Sequence, residues 1–181
     1  MKKYYKYIIP IVVILLLFTG YSMANTTRKR QEKVIERFAE ILYTISDVEK
    51  SLDYFEYSDN ENVKSLDPKA FSKYKSLTTD KEFNRLLEDE LVYNYILGAK
   101  ANNFVSRVVS INVSKPTQID KETKTYVANC VISVEIISGV ELVKIVERIP
   151  AKVTLVKSGS KWKIDYFDPS DETSFLIPAR R

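Results

Sequence analysis

The chain has 181 residues, 45% of them hydrophobic and 29% charged, which is enough for one domain with a hydrophobic core once an N-terminal segment is set aside. The net charge is +4, but three lysines precede an apolar run, and removing them from the 28 basic residues leaves 25 against 24 acidic ones, without the basic excess of a nucleic-acid-binding protein. A single cysteine excludes an intrachain disulfide, and the lack of histidine removes the commonest general base and metal ligand.

The apolar run extends from Ile8 to Phe18 and is interrupted only by Pro10. Its ten aliphatic and phenylalanine side chains, at roughly −0.3 to −0.6 kcal/mol each, favour membrane insertion by about −3 to −6 kcal/mol. Extended from Tyr4 to Met23, the segment reaches about the 20 residues that cross a bilayer. We therefore predict a retained membrane anchor in residues 1–24.

A cleaved signal peptide is the alternative for this segment. Ser22-Met23-Ala24 has small residues where a signal peptidase would require them. The lysines ahead of the run favour a cytoplasmic N-terminus, although a basic group beginning at Arg28 competes with them. Both alternatives place the following domain, residues 25–171, outside the cytoplasm. With the anchor retained, the protein is a single-pass cell-membrane protein.

Helical periodicity follows the anchor. Apolar residues at three- and four-residue steps predict one long amphipathic helix from Thr26 to about Lys50, with its apolar stripe facing the core. The members of this stripe are Val34, Ile35, Phe38, Ile41, Leu42, Ile45 and Val48. A coiled coil with a second copy would need a longer sustained heptad.

Two further helices are predicted from their starts. Asp67 before Pro68 is a good N-cap with proline in the first helical position. Thr79 followed by Glu82 reads as a capping box, which opens a helix that ends near Gly98. The predicted buried face of this last helix comprises Phe83, Leu86, Leu87, Leu91 and Tyr95.

After Asn103 the spacing of apolar residues changes from about four positions to two. Four segments rich in β-branched and aromatic residues predict strands at residues 104–116, 125–138, 140–157 and 161–167. Because the connections between them are short, the strands should form an antiparallel meander. Three helices packed on one side of a four-stranded antiparallel sheet make an α+β domain.

Alternation assigns the two faces of the predicted strands. On the second strand one face is almost entirely apolar, so Cys130 is expected to be a small buried side chain rather than a reactive thiol. That face comprises Tyr126, Ala128, Cys130, Ile132, Val134 and Ile136. On the last strand Trp162, Ile164 and Tyr166 are predicted to face the core, opposite Lys161, Lys163 and Asp165.

The other face of the second strand is the candidate interface. It mixes apolar with polar side chains, a composition typical of a non-obligate protein interface. A C-terminal tail, residues 172–181, adds an apolar triplet that either covers this face or docks on a partner. The candidate interface residues are Val127, Val131, Ile137, Phe175, Leu176 and Ile177.

The order of elements and the closing "GSKWKIDYFDPS" resemble the nuclear transport factor two-like superfamily of cone-shaped domains. Its last strand often reads Gly-x-Trp-x-Ile/Val, matched here by Gly159, Trp162 and Ile164 with one extra residue before the tryptophan. Within that superfamily, one membrane segment followed by one external domain is similar to VirB-eight-like assembly proteins of type IV secretion and conjugation. The excess of Lys over Arg and frequent Ile, Asn and Tyr favour a Gram-positive bacterial source.

The resemblance implies a non-catalytic scaffold that contacts other secretion-channel proteins and forms homo-oligomers. It implies no direct binding of nucleic acid and no cofactor. The alternative is a domain of the same fold that binds a small hydrophobic ligand or a cell-wall component.

The same fold also occurs in enzymes. Some members of the superfamily use an Asp base with a Tyr, and Asp165 with Tyr166, or Tyr126 with Tyr95, are the residues that could take such roles. Asp165 falls on a predicted polar face, which favours a solvated carboxylate. The sequence has no phosphate-binding loop, nucleophile elbow or metal-ligand spacing, and acidic runs such as Glu88-Asp89-Glu90 are typical of solvated helix faces. We therefore expect no catalytic, cofactor-binding or metal residues.

Overall fold

A computed structural model of the chain describes residues 25–52, 55–57, 63–66, 68–89, 91–138 and 144–170. For residues 52, 55–57, 63–66 and 68–70 it describes the backbone only. The predicted anchor, residues 1–24, and the tail triplet at residues 175–177 lie outside this part of the chain. The described part is an α+β arrangement of helices and an antiparallel sheet, as predicted.

Five helical segments occur in the described residues. They are α1 (residues 25–43), α2 (Val48–Leu52), α3 (Pro68–Leu77), α4 (Asp80–Glu88) and α5 (Leu91–Ala101). Two short strands, β1 (Phe55–Tyr57) and β2 (Val63–Leu66), pair with each other between α2 and α3. The prediction of three helices was therefore too coarse, because two of the predicted helices are each divided in two.

The first division separates α1 from α2. The backbone of Ile45 exchanges two hydrogen bonds with Ser106, at 2.9 and 3.0 Å, and this bridge cannot be made by a residue inside a helix. Asp47 then caps α2, because its carboxylate accepts a hydrogen bond from the Lys50 N–H. The prediction of one continuous helix to about Lys50 was wrong, although Ile45 is buried as expected.

The starts of α3 and α4 agree with the prediction. Helix α3 begins at Pro68, and Thr79 is the N-cap of α4, accepting a hydrogen bond from the Glu82 N–H. The predicted stop at Gly98 was wrong, because α5 continues to Ala101. Asn103, with a φ of 49°, has the left-handed conformation that we had assigned to glycine.

Among the described residues the main sheet has five strands. They are β3 (Phe104–Val113), β4 (Thr117–Asp120), β5 (Thr125–Ser138), β6 (Lys144–Ser158) and β7 (Lys161–Pro169). The order is β3-β5-β6-β7, all neighbours are antiparallel, and β4 also pairs with β5. Strand β4 was predicted as part of a connection. Strands β3 and β4 pair with the same edge of β5, one after the other. Pro116 lies between them and has no N–H to donate to the ladder.

The helices pack on one side of this sheet. Helices α3 and α4 contact β7, and α5 contacts β3. The ring of Phe38 in α1 lies 5.0 Å from that of Phe167, and Tyr43 meets Tyr95 edge-on at 5.2 Å. Aromatic rings therefore fill the space between helices and sheet.

The predicted core residues of the sheet are largely confirmed. Cys130 is buried, and burial raises the pKa of its thiol to about 11, so the group stays protonated and unreactive near neutral pH. Trp162 is buried and meets Tyr126 edge-on at 5.2 Å. The β6–β7 hairpin closes at Gly159, which has a φ of 60°.

Candidate functional site

A β-bulge in β7 changes which of its side chains face the core. Ile164 pairs with Leu155 of β6, and Tyr166 pairs with the adjacent Thr154. Asp165, between Ile164 and Tyr166, therefore has no partner residue in β6 and forms the bulge. Beyond the bulge Phe167 is fully buried and Tyr166 is 40% exposed. The assignment of Tyr166 to the core face was therefore wrong, since an inserted residue reverses the alternation.

Helix α4 is attached to this bulge. The Thr79 N–H donates to the Ile164 carbonyl at 2.8 Å, and the Thr79 hydroxyl donates to the Asp165 carboxylate at 3.0 Å. Asp165 is half-buried rather than the fully solvated carboxylate expected from its strand position. Its contact is with the N-terminus of a helix, so this side chain serves the packing of α4 on β7.

Glu82 is the centre of the same cluster. Its carboxylate has no exposed surface and accepts hydrogen bonds from the Phe167 N–H at 2.9 Å and from two nitrogens of Arg85, both at 2.8 Å. Arg85 also donates to the Phe167 carbonyl at 2.6 Å. A capping box would aim Glu82 back at Thr79, whereas here it reaches across to β7.

Arg85 makes further contacts in this cluster, and we call Glu82 and Arg85 together the clamp between α4 and β7. Its guanidinium also pairs with the Asp89 carboxylate and lies 4.6 Å from the centre of the Tyr166 ring. The hydrogen bonds to Glu82 raise the pKa of Arg85 further above its ordinary value, so the charge is permanent. Because Glu82 and Arg85 direct their hydrogen bonds to backbone and to each other, the cluster holds α4 against β7.

A second cluster of buried polar residues connects α1, α5 and β3 by hydrogen bonds. The Tyr95 hydroxyl donates to the Ser106 hydroxyl at 3.0 Å, which in turn donates to the Tyr43 carbonyl at 3.0 Å. Burial raises the pKa of Tyr95 to about 12. The residues that could take an enzymatic role therefore make separate structural contacts. Tyr95 donates a hydrogen bond to Ser106 of β3, Asp165 accepts one from Thr79 at the start of α4, and Tyr126 packs on Trp162.

The open face of the sheet, on the side away from the helices, contains the predicted interface residues of β5. Val127, Val131 and Ile137 are half-buried there, beside an exposed Asn129. Ser133, a polar residue of the same face, is only 7% exposed. The use of this face as an interface stays a prediction. The predicted partners of these residues in the tail lie outside the described part of the chain.

Glu135 is another buried polar residue of the open face. Its side chain is only 4% exposed. Arg107 of β3 and Lys144 of β6 lie on either side and contact its two carboxylate oxygens at 2.7 and 2.6 Å. Both basic side chains remain more than half exposed. The hydrogen bond from Lys144, followed by that from Arg107, lowers the pKa of Glu135.

Exposed aliphatic side chains surround this ion cluster. Val146 of β6 faces Glu135 across the sheet and is 52% exposed, and Val105 of β3 faces Ile137. We call Val105, Arg107, Glu135, Ile137, Lys144 and Val146 together the open-face patch. Arg107 and Lys144 were missed by sequence reasoning, because only the strand register places them beside Glu135.

Comparisons with known proteins give no relative on which to base an assignment: the sequence matches no protein-family model and has no significant match to a curated protein. Starting from Asn25, the described helices include none with the length and apolar character required to cross a bilayer. Within the same residues, no group of three or more Cys, Asp or Glu side chains is arranged to hold a metal ion.

Proposed function

We propose that this protein is a non-catalytic, membrane-anchored assembly component of a cell-envelope transport machine, and specifically of a conjugative type IV secretion channel. The observation that carries the proposal is the open-face patch. The membrane anchor rests on the apolar run from Ile8 to Phe18, whereas the nuclear transport factor two-like and VirB-eight-like kinship and the transport process rest on the sequence resemblance.

The open-face patch has the chemistry of a protein interface. Its apolar members, Val105, Ile137 and Val146, supply surface whose burial favours association. Arg107 and Lys144 keep exposed donors beside that surface while neutralising Glu135. One excess positive charge remains in the cluster, which suits a partner that presents apolar side chains with a carboxylate.

The helix-facing side supports a scaffold over an enzyme or a ligand-binding domain. The rings of Phe38, Tyr43, Tyr95 and Phe167 pack against one another there, with centres 5.0 to 6.5 Å apart. Glu82, the fully buried carboxylate on this side, is bonded to Arg85 and to the backbone of β7. Glu82 and its partners therefore stabilise the fold.

Charge substitutions in the open face test the proposal. Val131→Asp and Ile137→Asp should each abolish crosslinking to partners in whole cells and reduce transfer or secretion at least about tenfold, since a buried unpaired carboxylate costs several kcal/mol at an interface. Asn129→Asp, on the same strand and face but already polar and exposed, is the matched control. The thermal melt of each purified variant should stay close to that of the wild type.

Two outcomes would contradict this use of the open face. If both aspartate variants crosslink and transfer like wild type, the interface is elsewhere. If both fail to fold while Asn129→Asp folds, the residues contribute to the core rather than to binding.

Mass spectrometry of protein extracted from membranes tests the anchor. We expect the mature chain to retain Met1 to Ala24, because the apolar run is long enough to span. A mature N-terminus at Asn25 would contradict the anchored form and support a secreted domain.

A further inference from the structure

The open face of the sheet has more basic than acidic side chains. Strand register and alternation assign the charged residues of β3 to β7 to one face or the other. On the open face the basic residues are Arg107, Lys144, Arg148, Lys152, Lys161 and Lys163, and the acidic residues are Asp120, Glu135 and Asp168. The nearly balanced charge of the whole chain therefore does not show how positive this face is.

Part of this charge forms a line along β6. Lys144, Arg148 and Lys152 recur every four residues, and because alternate residues of a strand share a face, all of them lie on the open face. At roughly 3.3 Å per residue, neighbours in this line are about 13 Å apart. Lys163 continues the line, because it pairs with Val156, the next position of the same spacing. We call Lys144, Arg148, Lys152 and Lys163 the basic stripe.

Among the described residues, most of the basic stripe has no counter-ion. Its first member, Lys144, pairs with Glu135. No carboxylate in that part of the chain forms an ion pair with any of the other members. Arg148, in the middle of the stripe, is exposed and faces the uncharged Ser133 of β5. These charges are therefore available to a partner.

We propose that the partner of the open face is a protein other than this chain, with an acidic surface whose carboxylates pair with the basic stripe. The inference rests on the proposed function and adds the chemistry and the length of the partner surface. From Lys144 to Lys152 the stripe extends about 26 Å at roughly 3.3 Å per residue. Val146 and Pro150 lie between these charges, so the same partner surface also needs apolar side chains.

A second copy of this chain fits the open face poorly. In a two-fold contact between open faces, the same patch would lie on both sides of the interface, so each basic stripe would face the basic surface of the other copy. Bringing like charges together at an interface costs free energy and suppresses such a pairing. Homo-oligomers of this protein should therefore use another surface.

The open face also differs from a nucleic-acid-binding platform. Proteins that bind single strands stack the bases on aromatic rings beside basic groups. In the described strands, Tyr166 is the aromatic residue of this face, and the Arg85 guanidinium already lies 4.6 Å from the centre of its ring. The other apolar side chains of the face are Val, Ile and Pro, which favours a protein partner.

Photo-crosslinking with charge reversal tests this in whole cells. The full chain carries a photoreactive amino acid at Val131, and Arg148→Glu is compared with Lys157→Glu, at an exposed position on the other face of the same strand. Arg148→Glu should reduce the crosslinked product at least about tenfold, because repulsion replaces attraction in the middle of the stripe. Lys157→Glu should leave it unchanged. Arg148→Gln, which removes the charge without reversing it, should give an intermediate loss even if the glutamate variant folds poorly.

Mass spectrometry of the crosslinked product identifies the partner. We expect a peptide of another protein with an excess of Asp and Glu. A peptide without that excess, a second copy of this chain, a nucleic acid or a lipid would overturn the proposal, and so would a crosslink that survives both Arg148 variants. If that surviving crosslink is lost with Ile137→Asp, the proposed function stands and only the acidic partner is wrong. If the wild type forms no crosslink, both proposals are wrong.

Discussion

Glu82 and Glu135 lie on opposite sides of the sheet and are both almost fully removed from solvent, yet they are held in different ways. Glu82, on the helix-facing side, is bonded to Arg85 and to the backbone of β7, so its partners belong to the fold. Glu135, on the open face, is paired with the side chains of Arg107 and Lys144, which stay more than half exposed.

Because of this difference, we interpret Glu82 as a structural carboxylate and Glu135 as part of a surface. Removing Glu82 would leave the Phe167 N–H and part of the Arg85 charge without partners in the interior. Removing Glu135 would release two basic side chains that water already solvates. Low exposure of a charged group therefore indicates a functional surface only when its partners are exposed.

The largest effect is expected for Glu82→Ala. Removing one partner of a buried ion pair costs about 3–5 kcal/mol when the other charge is left uncompensated, and here we expect the lower end of that range because Asp89 still pairs with Arg85. Denaturant unfolding of the variant and the wild type measures the change directly.

Asp89→Ala is the matched control, since Asp89 pairs with the same Arg85 from an exposed position. It should cost no more than about 1 kcal/mol. Equal losses for the two variants would mean that Glu82 does not act as the clamp described above.

A smaller effect of opposite sign is expected for Gln31→Leu in α1. Gln31 is 2% exposed, and its side-chain N–H2 nitrogen has no hydrogen-bond partner among the described residues. Because an unsatisfied buried amide costs about 1–3 kcal/mol, the leucine variant should be about 1 kcal/mol more stable. Lys33→Leu, at an exposed position of the same helix, should change stability by less than about 0.5 kcal/mol. A destabilised Gln31→Leu would show that the amide has a partner that it needs.

The smallest effect on stability is expected for Glu135→Gln, and it should depend on pH. The pKa of Glu135 in the folded protein is below its ordinary value of 4.5, so the unfolded chain binds the proton more readily. The carboxylate therefore stabilises the fold at neutral pH and loses this contribution as the pH falls below 4.5. Thermal melts of wild type and variant should differ slightly at pH 7 and converge in acid. A gap that widens in acid would contradict the pairing.

Local signals in the sequence were sufficient for much of the fold. Pro68 and Thr79 mark helix starts through geometry that involves only their neighbours, and alternation along β5 separates buried Cys130 from exposed Asn129. The turn at Gly159 follows from its freedom to adopt a positive φ.

The candidate site required information that is not local. The extra residue at Asp165 depends on the register with β6 and on its contact with Thr79, which is 86 positions away. Similarly, Arg107 is 28 positions from Glu135 and meets it only because β3 and β5 pair in one register. Patterns of period two identify faces, but they do not identify neighbours across a sheet.

The central claim, that the open face binds protein partners, is tested most directly by photo-crosslinking in whole cells. A photoreactive amino acid would be placed at Val131 on the open face and, for comparison, at Lys73 on the exposed side of α3. The account predicts discrete crosslinked bands from position 131 that disappear with Ile137→Asp, and none from position 73. Bands from position 73 with none from position 131 would contradict it.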